Sequence, residues 1–414
     1  MTATTATEAR PFDWFRTLGK RGRRAFVGAF GGYGLDSFDY QTLPLGLAAI
    51  TAHFGISSGE AGLLGTTTLV VSAVGGVGAG MLADRIGRVR TLQITIAMYT
   101  IFTVLCGFAP NFETLLIFRA LQGLGFGGEW AAGAALVAEY SQAKYRGRTV
   151  AFVQSAWAVG WGLSVIVYTV VFSVASDAVA WRIMFWTGVI PALLVLWVRK
   201  SVKDAPRAEE RLKTERPKGT LVRIFKGDLV RTTFFAALLA TGVQGGYYTI
   251  STWLPSYLKK TRELTVIGTG GYLAFLITGA FVGYICGGYL TDLMGRKKTF
   301  LTFALLSAAL IVAYTQIPKG ANGLVLVLGF PLGFSMSAIF SGFGAFLAEL
   351  YPTALRGTGQ GFTYNFGRAV GAIFPTVVGF MGAGGAIVFG ALGYGIAVLA
   401  LLGLPETRGI ELVD

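Results

Sequence analysis

Long apolar stretches alternate with short polar ones along almost the whole chain. Each stretch is close to the roughly 20 residues that an α-helix needs to cross about 30 Å of hydrocarbon. Six such stretches precede a longer polar segment and six follow it. The predicted spans are residues 25–52, 61–82, 92–109, 115–138, 150–174 and 180–198, then 232–258, 266–290, 300–317, 323–347, 359–381 and 384–404. The pattern predicts an all-α membrane protein with twelve transmembrane helices in two six-helix halves.

These spans also set the predicted domain boundaries. Polar segments are expected at residues 1–24, 199–231 and 405–414, around six-helix bundles at residues 25–198 and 232–404. We predict no cleavable signal peptide, because the basic start leads directly into a full-length span.

The composition agrees with this architecture and narrows the chemistry. Hydrophobic residues make up 53% and charged residues 14% of the 414 positions, and the mean hydropathy is +0.61. The two cysteines, Cys106 and Cys286, lie in apolar runs, and His53 is the single histidine. A disulfide framework and a multi-histidine metal site are therefore excluded, and hydrolytic chemistry of the Ser-His-Asp type is strongly disfavoured. We predict that the protein is not an enzyme and uses no metal or cofactor.

The net charge of +14 is explained by where the basic residues lie. If the N-terminus is cytoplasmic, 28 of the 35 Lys and Arg residues fall on the cytoplasmic side and five on the other side, while Arg119 and Arg368 lie inside spans. This bias predicts cytoplasmic termini in a plasma or bacterial inner membrane. Contact with anionic lipid then accounts for the basic surplus, so nucleic acid is not an expected partner.

A chemical pattern recurs half a chain apart. The pattern after the second span returns 208 residues later, and the pattern after the fourth span returns 210 residues later. The matched positions are Gly80, Asp84, Gly87 and Arg88 with Gly288, Asp292, Gly295 and Arg296, and Glu139 and Arg146 with Glu349 and Arg356. Glycines let helix ends approach each other, and the charged groups can form ion pairs that close in one state and part in another. We predict gating roles for these acidic and arginine residues.

The chain resembles the major facilitator superfamily over nearly its whole length. Residues 80–90 (GMLADRIGRVR) are similar to the loop signature of that superfamily, and residues 119–125 (RALQGLG) to its signature in helix 4. Residues 36–40 (DSFDY), 128–130 (GEW) and 365–368 (NFGR) resemble the organic-acid proton symporters, both the sialate/lactate type and the aromatic-acid type. The resemblance implies alternating access between the halves.

Five ionisable residues lie inside the predicted spans: Asp36, Asp39, Arg119, Glu129 and Arg368. Each is costly there, so each needs a partner, an aqueous cavity or a function. Asp36 and Asp39 share one helix face, which favours reversible protonation of at least one of them. The residues alone rank the two equally, whereas the resemblance favours Asp39 with Arg119 as its counter-charge. A structural Asp39–Arg119 ion pair and a proton-carrying Glu129 are the alternatives.

Arg368, near the middle of the eleventh span, is the predicted substrate anchor, because a guanidinium can bind a carboxylate through two hydrogen bonds. The alternative is a helix-packing arginine held by Glu129 or by backbone carbonyls. Other candidate binding residues offer hydrogen bonds or flat apolar walls: Tyr33, Gln154, Trp157, Trp161, Gln244, Tyr247, Tyr248, Tyr364 and Asn365.

One glycine motif is set aside. Gly123-x-Gly125-x-x-Gly128 has the spacing of a dinucleotide fingerprint, but it lies inside a membrane span without a βαβ unit. We interpret it, like Gly279, Gly283 and Gly287, as close helix packing.

Together these features predict a monomeric secondary transporter that imports a small organic acid anion with protons. The candidate classes are lactate or pyruvate, sialate, and aromatic carboxylates. The alternatives within the superfamily are a proton-coupled symporter of sugars or other neutral solutes and a drug exporter. A receptor or membrane-embedded enzyme is disfavoured by the two-half repeat and the short loops.

Overall fold

The structure is a computed structural model that describes residues 13–141, 146–190, 197, 201, 220–352, 355–382 and 386–408. Within these residues we find helices and no strands. The helices of the first half are α1 (Asp13–Thr17), α2 (Gly19–Phe54), α3 (Ser58–Ile86), α4 (Arg88–Cys106), α5 (Phe112–Tyr140), α6 (Arg146–Val174) and α7 (Asp177–Trp186). Those of the second half are α8 (Thr220–Arg223), α9 (Leu229–Ser256), α10 (Val266–Met294), α11 (Arg296–Gln316), α12 (Asn322–Glu349), α13 (Arg356–Gly371), α14 (Ile373–Phe380) and α15 (Gly390–Leu402).

Helices lie in all twelve predicted spans, and α13 with α14 fills the eleventh. Judged by length and composition, six stretches of the described helices are apolar enough to cross a membrane: Ser58–Ala79, Val89–Cys106, Arg148–Val174, Val266–Thr291, Arg296–Gln316 and Asn322–Glu349. Three of the remaining helices, α2, α5 and α13, carry Asp39, Arg119 and Arg368. In each of these three helices a charged side chain is buried in the protein interior.

The same helix pairs pack in both halves. In the first half α3 packs on α5 and α2 on α6; in the second, α10 packs on α12 and α9 on α13. At the first pair of each half, glycines face backbone atoms so closely that a Cβ atom would collide with them: Gly75, Gly123 and Gly127, and Gly279, Gly283, Gly287 and Gly333. The packing interpretation of Gly123 and of the three α10 glycines is confirmed.

The repeat extends to the backbone of one turn. Gly87 precedes α4 with φ 95° and ψ 160°, and Gly295 precedes α11 with φ 93° and ψ 160°. A positive φ of this size disfavours any residue with a Cβ atom. The recurrence of glycine at this point in both loops thus has a conformational reason.

The two halves meet along α6 and α10, along α3 with α13 and α14, and between α2 and α9. We call the face that carries Gly19 and Arg408 the terminal face, and the face that carries Phe54 and Lys259 the opposite face. Towards the opposite face, the Thr66 hydroxyl of α3 donates to the carbonyl of Ala372 at 2.5 Å. Lys259 of the second half pairs there with Asp177 of the first at 3.1 Å. The halves are therefore in contact on the opposite face.

On the terminal face, three predicted gating residues of the second half, Arg296, Glu349 and Arg356, make polar contacts in the described part of the chain. Arg296 pairs with Glu349 at 3.0 Å, and the Thr407 hydroxyl donates to the same carboxylate at 2.5 Å. Arg356 donates through Nε to the carbonyl of Ala348 at 3.2 Å. The Arg296–Glu349 pair joins two helices of a single half.

The other gating candidates are the side chains of Asp84, Arg88, Glu139, Arg146 and Asp292, all of which lie outside the described residues.

The chain after α15 folds back onto the Arg296–Glu349 pair. The Glu406 carboxylate accepts hydrogen bonds from the backbone N–H groups of Arg296 at 2.9 Å and Lys297 at 3.0 Å. Partial burial acts to raise the pKa of Glu406, but backbone N–H donors, including those of Thr407 and Arg408, outweigh it and hold the pKa below its ordinary value. The start of α11 and the chain beyond α15 are thus held together by one carboxylate.

Candidate transport site

Arg368 lies at the boundary between the two halves and is 4% exposed. Its guanidinium carbon is 5.0 Å from the ring centre of Tyr364, on its own helix, and 5.5 Å from that of Phe126 on α5 of the other half. A guanidinium N–H donates to the Tyr364 hydroxyl at 3.4 Å, a long hydrogen bond, and Nε has no partner. A buried cation held mainly by ring faces keeps donors available for an anion.

Aromatic side chains from both halves surround this cation. Tyr40 of α2 is the central ring: its centre lies 5.7 Å from Phe126, 5.8 Å from Trp157 and 5.9 Å from Tyr248. Tyr33 packs on Trp157 at 5.2 Å. We call these five residues, Tyr33, Tyr40, Phe126, Trp157 and Tyr248, the aromatic box. Flat ring faces beside a guanidinium fit a flat carboxylate.

Hydrogen bonds hold the box across the boundary and within the second half. The Trp157 indole of α6 donates to the Tyr247 hydroxyl of α9 at 2.6 Å. Gln244 donates to the carbonyl of Tyr364 at 2.9 Å, and Tyr248 donates to the Gln244 side-chain oxygen at 3.3 Å. The helices α9 and α13 are therefore fixed to each other next to the box.

The remaining predicted binding residues lie around this centre. The ring of Trp161 packs on Tyr247 at 6.5 Å, and Gln154 is buried. Asn365 is half-buried, donates to the carbonyl of Gly361 in its own helix at 2.9 Å, and lies against Gly76 of α3. Asn365 thus belongs to the α3–α13 contact rather than to the aromatic box.

Asp39 and Arg119 lie in the interior of the first half, 1% and 0% exposed. They are not in direct contact, so among the described residues the interpretation as an ion pair is wrong. Arg119 donates through Nη1 to the Gln122 oxygen at 2.6 Å, and Gln122 donates to the Thr103 hydroxyl at 2.6 Å. Thr103 in turn donates to Asp39 Oδ2 at 3.2 Å. Two neutral side chains separate the charges.

The other acidic candidates differ in what the structure shows. Asp36 is 1% exposed on α2, on the same helix as Asp39. The side chain of Glu129 lies outside the described residues. The choice among Asp36, Asp39 and Glu129 as the proton carrier stays a prediction.

Comparison with known proteins identifies the family of this chain. A sequence profile described as Major Facilitator Superfamily matches residues 29–375. The chain belongs to this superfamily. The predicted membership and the twelve-helix fold are confirmed, and the protein is a membrane transporter rather than an enzyme.

Two relatives carry names that bear on the cargo of such transporters. A probable 4-methylmuconolactone transporter of Cupriavidus pinatubonensis is 40% identical over 410 residues, which cover 97% of this chain and 94% of the relative. The cis,cis-muconate transport protein of Acinetobacter baylyi is 33% identical over 388 residues, covering 90% and 91%. The resemblance to transporters of organic acids is confirmed by these names.

Solved structures of the superfamily share the fold. The proton:xylose symporter XylE of E. coli, bound to 6-bromo-6-deoxy-D-glucose, superposes with a TM-score of 0.76 at 21% identity, covering 95% of this chain and 98% of that one. At this identity the likeness concerns the fold alone.

Sequence reasoning missed Tyr40 and Phe126 in the aromatic box and Thr103 and Gln122 in the polar network. Tyr40 follows Asp39 directly and Gln122 lies in the helix-4 signature, so both residues could have been predicted from the sequence. Phe126 and Thr103 gave no signal, because such residues occur throughout apolar helices.

Proposed function

We propose that this superfamily member is a secondary transporter that carries a small organic acid anion across the membrane together with at least one proton. The observation that carries the proposal is Arg368: a buried guanidinium between the halves, with ring faces from both halves around it and a donor that has no protein partner. An anion bound there would touch both halves at once. Such a position is where alternating access requires the cargo.

Each part of the site then has a task. Arg368 binds the carboxylate, and the aromatic box excludes water and orients the rest of the acid. Asp39 takes up the proton inside the first half, near the charge of Arg119. The empty protein and the protein loaded with one proton and one anion carry the same net buried charge, whereas binding of either cargo alone changes that charge by one, and this difference couples the two cargoes.

The available energy is sufficient for accumulation. A proton moving down its gradient supplies about 1.36 kcal/mol per pH unit, and each net charge moved supplies about 2.3 kcal/mol per 100 mV. One proton at a difference of one pH unit therefore supports roughly tenfold accumulation of an acid.

The cargo we propose is a flat, unsaturated or aromatic carboxylate rather than lactate or sialate. The aromatic box supports this class, because stacking favours planar molecules. The names of the two relatives, which refer to muconate and to a muconolactone, support it as well. Both are carboxylates with conjugated or cyclic carbon skeletons.

The orientation is also a proposal. The basic residues concentrate at the terminal face, which we assign to the cytoplasm by the positive-inside rule. The contact of Lys259 with Asp177 would then close the site towards the outside.

Uptake into proteoliposomes tests the function. Purified protein is reconstituted and given labelled cis,cis-muconate, 4-methylmuconolactone, benzoate, lactate, sialate or xylose under an imposed gradient, acidic outside. We expect accumulation of the planar acids, abolished by a protonophore. Accumulation of xylose alone, or acid uptake indifferent to the pH gradient, would refute the proposal.

A further inference from the structure

The polar side chains between Asp39 and Arg119 form a chain of hydrogen bonds with a single direction. Arg119 donates to Gln122, Gln122 donates to Thr103, and Thr103 donates to Asp39. The Gln122 and Thr103 side chains are 2% and 0% exposed. In such surroundings each bond polarises the next. The positive charge of Arg119 thereby stabilises the ionised Asp39 carboxylate, although the two side chains are not in contact.

The Thr103 hydroxyl has one hydrogen and two acceptors for it. Its oxygen lies 3.2 Å from Asp39 Oδ2 and 2.8 Å from the backbone carbonyl of Tyr99. A hydroxyl can rotate between such partners while it still accepts from Gln122. An ionised Asp39 attracts the hydrogen, since a carboxylate is the stronger acceptor. A protonated Asp39 leaves it to the Tyr99 carbonyl.

We propose that Thr103 and Gln122 are positioning residues of the proton site: they hold Asp39 and Arg119 apart and transmit the protonation of Asp39 to Arg119. The inference rests on the proposed proton coupling. When Asp39 is ionised, the chain of donors runs unbroken to it. When Asp39 is neutral, the Thr103 hydrogen turns to the Tyr99 carbonyl, and the chain of donors from Arg119 no longer reaches the Asp39 carboxyl group.

The groups that face Asp39 are few. Arg119 of α5 and Cys106 of α4 interact with it electrostatically. Asp36 lies on its own helix, and the turn Thr187–Val189 faces it with Gly188, which has no side chain. Thr103 is the side chain that donates a hydrogen bond to the Asp39 carboxylate among the described residues. Removing the Thr103 hydroxyl is therefore the most direct way to interrupt the series of hydrogen bonds between Arg119 and Asp39.

A matched pair of variants tests the inference in the full-length protein in proteoliposomes. Thr103→Val removes the hydroxyl at nearly constant volume, and Thr103→Ser keeps it. Two rates are measured with cis,cis-muconate: net uptake, which requires proton release inside, and exchange of internal for external substrate, which does not. Net uptake is recorded over a range of internal pH.

We expect Thr103→Val to lower net uptake about tenfold at neutral internal pH, because the ionised form of Asp39 loses a charge-assisted hydrogen bond. The internal pH for half-maximal net uptake should rise by about one unit. Exchange should stay within about twofold of the wild type. Thr103→Ser should match the wild type in all three measurements.

Gln122→Glu interrupts the same series of hydrogen bonds at a second, independent position. The new carboxylate still accepts from Arg119 but, when ionised, has no N–H for Thr103, so net uptake should fall while exchange persists. This variant decides the matter if Thr103→Val does not fold.

Wild-type net uptake and pH dependence in both Thr103→Val and Gln122→Glu would overturn the inference while leaving proton coupling intact. A wild-type protein whose uptake ignores the pH gradient would instead refute the proposed function itself.

Discussion

Replacing Arg368 tests whether its guanidinium binds the carboxylate of the transported acid. Arg368→Lys keeps the charge but offers one compact ammonium in place of a planar fork, and Arg368→Gln removes the charge. Neither variant replaces a residue of the aromatic box or of the Asp39 network, although both lose the contact of the guanidinium with the Phe126 ring. Under our proposal the affinity for the acid falls in the order wild type, Lys, Gln.

The size of the effect follows from the surroundings of the guanidinium. Arg368 is 4% exposed, so water screens its interactions little. Its Tyr364 hydrogen bond is long, at 3.4 Å, and Nε has no partner, so an incoming carboxylate meets donors that are not already saturated. One hydrogen bond to a charged group contributes about 1.5–3 kcal/mol. Loss of one such bond in the Lys variant should weaken binding roughly 10- to 150-fold, and the Gln variant should be weaker still.

Titration calorimetry with purified protein and the acid identified by the uptake panel measures this directly. Arg262→Gln is the matched control: Arg262 is also a buried arginine of the second half, and it donates to the Tyr257 hydroxyl at 3.0 Å and to the carbonyls of Pro318 and Ile317 at 2.8 and 2.6 Å. The control should lower thermal stability with little change in affinity. An Arg368→Gln protein that binds the acid within twofold of the wild type would refute the assignment of the anchor.

Three further predictions concern the contacts around the site. Lys259→Asp should weaken closure of the opposite face by at most about 1 kcal/mol, because the side chains of the Lys259–Asp177 pair are 28% and 58% exposed. Pulsed EPR distances between labels on the two halves should return to the wild-type values when Asp177→Lys is added. Distances that do not return would contradict a role of this ion pair in closure. Glu406→Gln should lower the free energy of unfolding at neutral pH by about 1 kcal/mol, since solvent screens the carboxylate in part, and the melting temperature should fall accordingly. Since the pKa of Glu406 is held below its ordinary value, this contribution is complete above the ordinary pKa and lost as the pH falls through the lowered one, so melting curves of variant and wild type should converge in acid. Gly295→Ala should cost about 1–3 kcal/mol, because it places a Cβ at φ 93° and 2.8 Å from the Glu406 carboxylate, whereas Gly395→Ala, inside a helix with open space around it, should not lower the melting temperature.

The fold was predictable because a membrane imposes a length on each apolar stretch. The helix ends were less so: α2 begins at Gly19, before the predicted start of the membrane span at residue 25. The added turns carry Lys20 and three arginines up to Arg24. Helical hydrogen bonding continues past the hydrocarbon into the polar interface, where hydropathy gives no signal.

The charged residues of the candidate site were the most readily predictable, and three of the five box residues, Tyr33, Trp157 and Tyr248, were also among the predicted binding residues. Asp39, Arg119 and Arg368 stand out in sequence because ionised groups are rare in membrane spans. Phe126 does not, since an aromatic residue in an apolar helix costs nothing, and tertiary packing decides whether it faces lipid or cargo. The separation of Asp39 from Arg119 by Thr103 was hidden for the same reason: threonine occurs often in membrane helices, where its hydroxyl bonds to its own backbone.

The hydrogen bond from Trp157 to Tyr247 ties α6 of one half to α9 of the other in a region that excludes water. Any rocking that draws these two helices apart at this depth breaks the bond and changes what the indole ring faces. The protein therefore contains its own fluorophore at the boundary between the two halves. With the other seven tryptophans replaced, the emission maximum of Trp157 would follow each half-cycle in real time, without an attached dye.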